Sequence, residues 1–301
     1  RLVLCFDGTD NKFEATEQDS NIVKLYEMLN RTTSDQFHYY QRNSQAGIGT
    51  YRPGQLDNTE AKGIFAETRD KIHSTLDEMF GTSFVHHVIG GYQFILKYYM
   101  PGDKIYIFGF SRGAYTARFL SEMIDNIGLL SMGNEELIQF AWETFSDFQR
   151  LGGTTKQEAY EYMQIFKSTF CRPGVRVYFL GLFDCVNSVA TFSSTRDMTP
   201  YILHAPARHI RHAVSIHERR AMFRPSLFLL NNAERGGPDR PVNTLKEVWF
   251  AGNHGDVGGG WPLAKVKNVG ETKYLLSDVA LKWMVAEVRI IEETKAVSVW
   301  M

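Results

Sequence analysis

The stretch Lys104-Ile105-Tyr106-Ile107-Phe108-Gly109-Phe110-Ser111-Arg112-Gly113-Ala114 constrains the fold more than any other part of the chain. A run with the character of a buried strand leads straight into Gly109-x-Ser111-x-Gly113, and apolar residues at helical spacing begin immediately behind it. Strand, sharp turn and helix in that order make a nucleophile elbow. There a serine occupies a strained turn, and small residues two before and two after it let strand and helix nearly touch. The turn lifts the hydroxyl clear of the sheet and sets helix N–H groups beside it. Gly-x-Ser-x-Gly alone is a weak signal; the strand before and the helix after it supply the specificity. The competing reading is a Gly/Ser turn that only packs a βα junction.

The rest of the chain repeats the strand-and-helix rhythm. Arg1 to Phe6 is a short apolar run that stops at Asp7-Gly8-Thr9-Asp10-Asn11, as a buried parallel strand entering a polar loop would. Ser20 and Asn21 can cap a helix with Ile22, Leu25, Tyr26 and Leu29 on one face. Phe37 to Gln41 reads as a strand, followed by a loop at residues 46–50. The pattern is helical from about Thr68 to Met100, bent near Gly81 and again near Gly90-Gly91. Residues 134–151 and 155–170 read as two consecutive helices with no strand between them, hence an insertion or lid of about 134–170. Further strands are expected at Val175 to Leu182, Ile210 to Ile216 and Leu245 to Ala251, and a helix from Ser277 to Val288. Residues 291–301 carry no clear pattern. The expectation is an α/β, α/β-hydrolase-like fold over residues 1–301 as a single domain. Its central sheet is mostly parallel, with helices on both faces and ligands beyond the carboxyl ends of the strands.

Polar residues collect at those strand ends: Asp7, Ser111, Asp184 and His254. A serine hydroxyl is a poor nucleophile at neutral pH and needs an imidazole to take its proton. Among nine histidines, His254 follows a strand and lies in the glycine-dense segment Asn253-His254-Gly255-Asp256-Val257-Gly258-Gly259-Gly260, read as a flexible loop. A buried carboxylate should fix the imidazole tautomer. Asp184 is the first candidate, with Glu218 and Asp256 as competitors. The order Ser111, Asp184, His254 matches the serine, acid, histidine order of α/β-hydrolases. Oxyanion donors are expected from the amide of Arg112 and from Gly8 or Thr9, with Asp7 and Asn11 near the substrate. Asp7, Asp10 and Asn11 are too few and too local to favour a metal, and the chemistry needs no cofactor. Arg219, Arg220 and Arg224 form a basic cluster, read first as a solvated face and second as a contact for an anionic substrate group.

Charge excludes one class and cysteine usage suggests a compartment. Thirty-three Lys and Arg nearly balance thirty-four Asp and Glu, so no basic surface for nucleic acid spans the molecule. Three cysteines, odd in number and sparse, suit a reduced compartment, and a cytoplasmic protein is expected. No run approaches the length of a membrane span and no signal pattern precedes the first strand. The chain begins at Arg1 rather than Met, which leaves any upstream targeting segment open.

Four stretches together resemble the α/β-hydrolase family that includes the phospholipase effectors of bacterial type VI secretion and many fungal proteins. They are Phe6-Asp7-Gly8-Thr9-x-Asn11, Gly109-Phe110-Ser111-Arg112-Gly113-Ala114, Leu182-Phe183-Asp184-Cys185-Val186, and Trp249-Phe250-x-Gly252-x-His254-x-Asp256-Val257-Gly258-Gly259-Gly260. The resemblance implies a triad of Ser111, Asp184 and His254, and ester or phospholipid hydrolysis. Residues 211–220 look like the fungal branch, although an aspartate is expected where His217 stands. The expectation is a serine hydrolase acting on a carboxylic ester, with a small-molecule or lipid ester as partner and peripheral membrane contact left open. A non-catalytic scaffold with the same crevice, or an acyltransferase with the same triad, are the alternatives.

Overall fold

Strands built from Ile, Val, Leu and Phe without polar alternation must bury both faces, and a parallel sheet covered by helices on both sides is the arrangement that does so. The computed structural model describes residues 1–9, 13, 15–32, 34–43, 84–150, 154–186, 206–220, 223–228, 244–261 and 275–298. The expected 46–50 loop, the 68–83 part of the expected helix, and Asn11 lie outside them. Strands β1 (Leu2–Thr9), β2 (Phe37–Asn43), β3 (Ile105–Phe110), β6 (Val177–Phe183), β7 (Ala207–Ser215) and β8 (Thr244–Phe250) form one parallel sheet, ordered β2-β1-β3-β6-β7-β8. Two short strands, β4 (Leu129–Leu130) and β5 (Cys171–Arg172), pair antiparallel.

Alternation along each strand sorts side chains between two cores. Leu2, Leu4, Phe6, Ile105 and Ile107 face the first, with the helix α2 (84–98), α3 (Arg112–Asn126), α4 (Ile138–Arg150) and α5 (Thr154–Phe170). Val3, Cys5, Tyr106, Phe108 and Phe110 face the second, covered by α1 (Asn21–Glu27) and α7 (Ser277–Ser298). Helices therefore cover both faces. Each large apolar side chain removed from water contributes about 1.5–3 kcal/mol, which outweighs the weak intrinsic preferences of these segments.

Chain direction places the site. From β1 the chain steps outward to β2, then returns to the other side of β1 as β3 and continues through β6, β7 and β8. The strand order reverses between β1 and β3, and the crevice at such a switch point lies at their carboxyl ends. Asp7-Gly8 and Ser111 are thereby brought together.

Several expectations need correction. β1 runs on to Thr9, with a register irregularity between Phe6 and Thr9, so Asp7 and Gly8 sit in a bulged strand end rather than a free loop. The helix runs through Gly90-Gly91 without interruption. A Cβ on Gly91 would come within 2.7 Å of Leu120 and of the Phe6 ring, so this glycine serves close packing. The inserted helices α4 and α5 are led in by a 3-10 turn at Glu135–Leu137. They are not loose cover: Trp142, Phe145, Phe148, Met163 and Phe166 are buried in the first core, and Phe145 meets Phe119 of α3 at 5.1 Å. Finally, α7 continues to Ser298, through much of the segment that lacked a readable pattern.

Candidate active site

Residue Ser111 sits at φ 58°, ψ −124°, a left-handed conformation disfavoured for a residue with a Cβ. The surroundings enforce it. A Cβ on Gly109 would lie 2.5 Å from the Gly113 carbonyl, and one on Gly113 would lie 2.3 Å from the Phe6 carbonyl. Only glycines at both places let β3, β1 and the start of α3 converge. The Ser111 N–H donates to Phe183 O at 3.1 Å, tying the turn to the end of β6.

Asp184 follows β6 and also has positive φ, 41°. Its N–H donates to Ala213 O of β7, and its carboxylate accepts from Ser215 N–H and Ser215 Oγ, each at 2.8 Å. The carboxylate is fully buried, yet three hydrogen bonds including that of His254 satisfy it. The His254 Nδ1 lies 2.7 Å from Asp184 Oδ2, and its Nε2 lies 2.7 Å from Ser111 Oγ. Nδ1 facing a carboxylate carries the proton, which leaves Nε2 unprotonated and turned toward the serine hydroxyl. The ring lies between Phe110 and Phe223, each 4.8 Å away by centroids.

The segment carrying His254 is not a flexible loop. It is the helical turn α6 (His254–Gly258), with Asn253 Oδ1 accepting from Gly255 N–H and Asp256 Oδ2 accepting from Asn253 N–H. This is a capping box, which accounts for Asp256 without any contact to the imidazole. The glycines allow close approach: a Cβ on Gly258 would fall 1.8 Å from the Phe110 ring. Glu218, the other competing acid, reaches the backbone of His254 rather than its ring, accepting the N–H at 3.2 Å. His217 accepts from Gly252 N–H through Nδ1 at 2.9 Å.

Hydrogen bonds from Arg220, chiefly from its side chain, together with the His254 amide, hold the Glu218 carboxyl at about 2, below its ordinary 4.5. A depressed folded-state value gives stability that is present above pH 4.5 and is lost as the pH falls toward 2. Glu218→Gln removes that contribution. The stability difference between wild type and variant, measured by chemical denaturation, should therefore shrink steadily on acidification from pH 4.5.

Two expected contacts need correction. Asp7 is 1% exposed; its carboxylate accepts from Gly8 N–H at 2.7 Å, and from Ser20 Oγ and Tyr40 OH at 2.8 Å each. It clamps the end of β1 to α1 and β2. The Gly8 amide, one of the two expected donors on β1, is thus bonded to the Asp7 carboxylate. Arg112 opens α3 directly behind Ser111.

The sequence reading missed Ser215, Phe223 and Arg118. Arg118 of α3 grips the segment that supplies Phe223, with Nη1 3.1 Å from Ser226 O and 3.2 Å from Ser226 Oγ. Ser215, at the end of the strand beside Asp184, was the readable signal among them; the other two depend on tertiary contacts alone.

A parallel sheet with an elbow serine after β3, in hydrogen-bonded series with a histidine and an aspartate delivered by later strands, is an arrangement of the α/β-hydrolase type. The family model for the type VI secretion phospholipase effector Tle1-like catalytic domain matches residues 1–287, and the chain belongs to that family. The uncharacterised protein YEL023C of Saccharomyces cerevisiae is 37% identical over 231 residues, covering 75% of this chain and 32% of its own length, in keeping with a fungal-type branch. The crystal structure of an uncharacterised Pseudomonas aeruginosa protein is similar at TM-score 0.45 and 20% identity, over 95% of this chain and 45% of that one. The Tle1 effector bound to the VgrG spike of the type VI secretion system is similar at TM-score 0.41 and 18% identity, over 87% and 51%. The chain thus spans about a third of the yeast protein and about half of the two structures.

Proposed function

We propose that the protein is a serine hydrolase of carboxylic esters, acting on a lipid or phospholipid through an acyl-enzyme on Ser111. The observation that carries this reading is the unbroken series Ser111 Oγ, His254 Nε2 and Nδ1, Asp184 Oδ2, with both contacts at 2.7 Å and all three residues nearly buried. Membership of a phospholipase effector family supports the lipid class of substrate.

In this mechanism His254 takes the hydroxyl proton as Ser111 Oγ bonds to the acyl carbon. The carbonyl oxygen becomes an oxyanion facing the start of α3, where the Arg112 amide is the first donor, and the second falls to Thr9. Collapse breaks the ester bond, and His254 gives its proton to the departing alcohol. Water then attacks the acyl-enzyme with His254 again as base, releasing the acid and restoring Ser111. Asp184 stays ionised and stabilises the imidazolium that forms twice per turnover.

A fluorophosphonate probe tests the reading. The expected result is stoichiometric labelling of folded protein, with the adduct mapped to the peptide carrying Ser111. Folded protein that never labels would overturn it in favour of a non-catalytic scaffold.

A further inference from the structure

Beside His254 lies an arginine whose placement is unlike that of a surface charge in a solvated run. Arg220 stacks on Phe223, its guanidinium carbon 3.9 Å from the ring centroid, and Phe223 in turn packs against the His254 ring at 4.8 Å. The guanidinium is therefore no farther from the imidazole than those two contacts laid end to end. The Trp261 ring centroid lies 5.6 Å from the guanidinium carbon. One edge of the fork is fixed: Nε donates to Glu218 Oε1 at 2.9 Å and Nη2 to Glu218 Oε2 at 2.7 Å. Glu218 is itself buried, its side chain 3% exposed, whereas the Arg220 side chain is 46% exposed.

Those two bonds use two of the five N–H donors of a planar guanidinium. The remaining donors lie on Nη1 and the outer side of Nη2, along the edge turned away from Glu218. Two aromatic rings and a buried carboxylate hold the plane in place, so the entropy of ordering a long side chain is already met before any ligand arrives. A fork held in this way suits a group with two equivalent anionic oxygens, as in a phosphodiester. In a glycerophospholipid only a handful of covalent bonds separate the phosphorus from the scissile acyl carbon, and here three successive contacts, Ser111 to His254, His254 to Phe223 and Phe223 to Arg220, link the two positions.

We propose that Arg220 binds the phosphodiester of a glycerophospholipid while its acyl ester lies at Ser111, making Arg220 the residue that selects glycerophospholipids over neutral glycerides. This rests on the serine-hydrolase reading above and deepens it. Arg220 is a specificity residue: it takes no part in the proton transfers.

The test compares a short-chain phosphatidylglycerol with the diacylglycerol bearing the same acyl chains, both below their aggregation limits. For Arg220→Gln the ratio of kcat/KM on phospholipid to kcat/KM on diacylglycerol should fall at least tenfold, chiefly through KM. Arg220→Lys, which keeps the charge without the fork, should fall between. Equal loss on both esters would overturn the proposal, because Arg220 would then act only through Glu218 and the His254 turn; so would an unchanged ratio. Calorimetric binding of phosphatidylglycerol to Ser111→Ala, with and without Arg220→Gln, separates the two levels of the argument. Binding at least tenfold weaker in the double variant supports anion recognition even if wild type turns over neither ester, an outcome that would sink the hydrolase reading alone. Equal affinity overturns the proposal.

Discussion

Replacing Ser111 by alanine should lower kcat for ester hydrolysis by on the order of 10⁶-fold while leaving the protein folded. The size follows from losing the nucleophile outright: His254 and the α3 amides remain, yet no side-chain oxygen is left to form the acyl intermediate. The folded state should tolerate the change, because the hydroxyl's bond is to His254 Nε2, at a ring edge that water can also occupy. The positive φ is enforced by the backbone contacts of Gly109 and Gly113, and alanine suffers there much as serine does. Steady-state kinetics beside a thermal melt measures both halves. Undiminished turnover by a well-folded variant would show that the elbow is only a packed turn.

Asp184→Asn is expected to cost about 10⁴-fold in kcat, with little change in thermal stability. Asparagine is among the few residues that accept the positive φ found here, and its carbonyl can still accept from Ser215 N–H. Its amide, however, donates toward His254 Nδ1, which forces the proton onto Nε2 and leaves no base facing Ser111. The loss should appear as a tautomer effect, in kcat rather than KM. It also distinguishes the acids. Glu218→Gln and Asp256→Asn touch the backbone and cap of α6, so each should cost far less than Asp184→Asn. A larger loss from Glu218→Gln would overturn the assignment of Asp184.

The elbow was legible because its physics is local. A strand, two glycines and a helix start within one stretch leave few conformations open, and apolar periodicity marks the neighbouring strands whatever their order. The carboxylate was legible only as a set of three, since each of Asp184, Glu218 and Asp256 follows a strand or flanks the histidine. The choice depends on side-chain direction: the turn at Asp184 aims its carboxylate at the ring, Glu218 reaches an amide and Asp256 closes a helix cap. The glycines around His254 looked like flexibility and turned out to allow dense packing against Phe110, a distinction that composition cannot make. The basic cluster near His217 is exposed, as read, and only its tertiary contacts show that one member, Arg220, stacks on the Phe223 ring that packs against the imidazole.

Local chemistry therefore determined the strands, the elbow serine and the identity of its histidine, because each depends on residues adjacent in the chain or on the end of a recognisable strand. Tertiary structure decided which carboxylate meets the imidazole, that Asp7 clamps β1 to its neighbours, and that Arg220 stacks on the ring packed against His254. Those outcomes turn on where strands 30 to 140 residues apart are laid side by side, and a one-dimensional pattern of apolar and polar residues holds no distances of that kind.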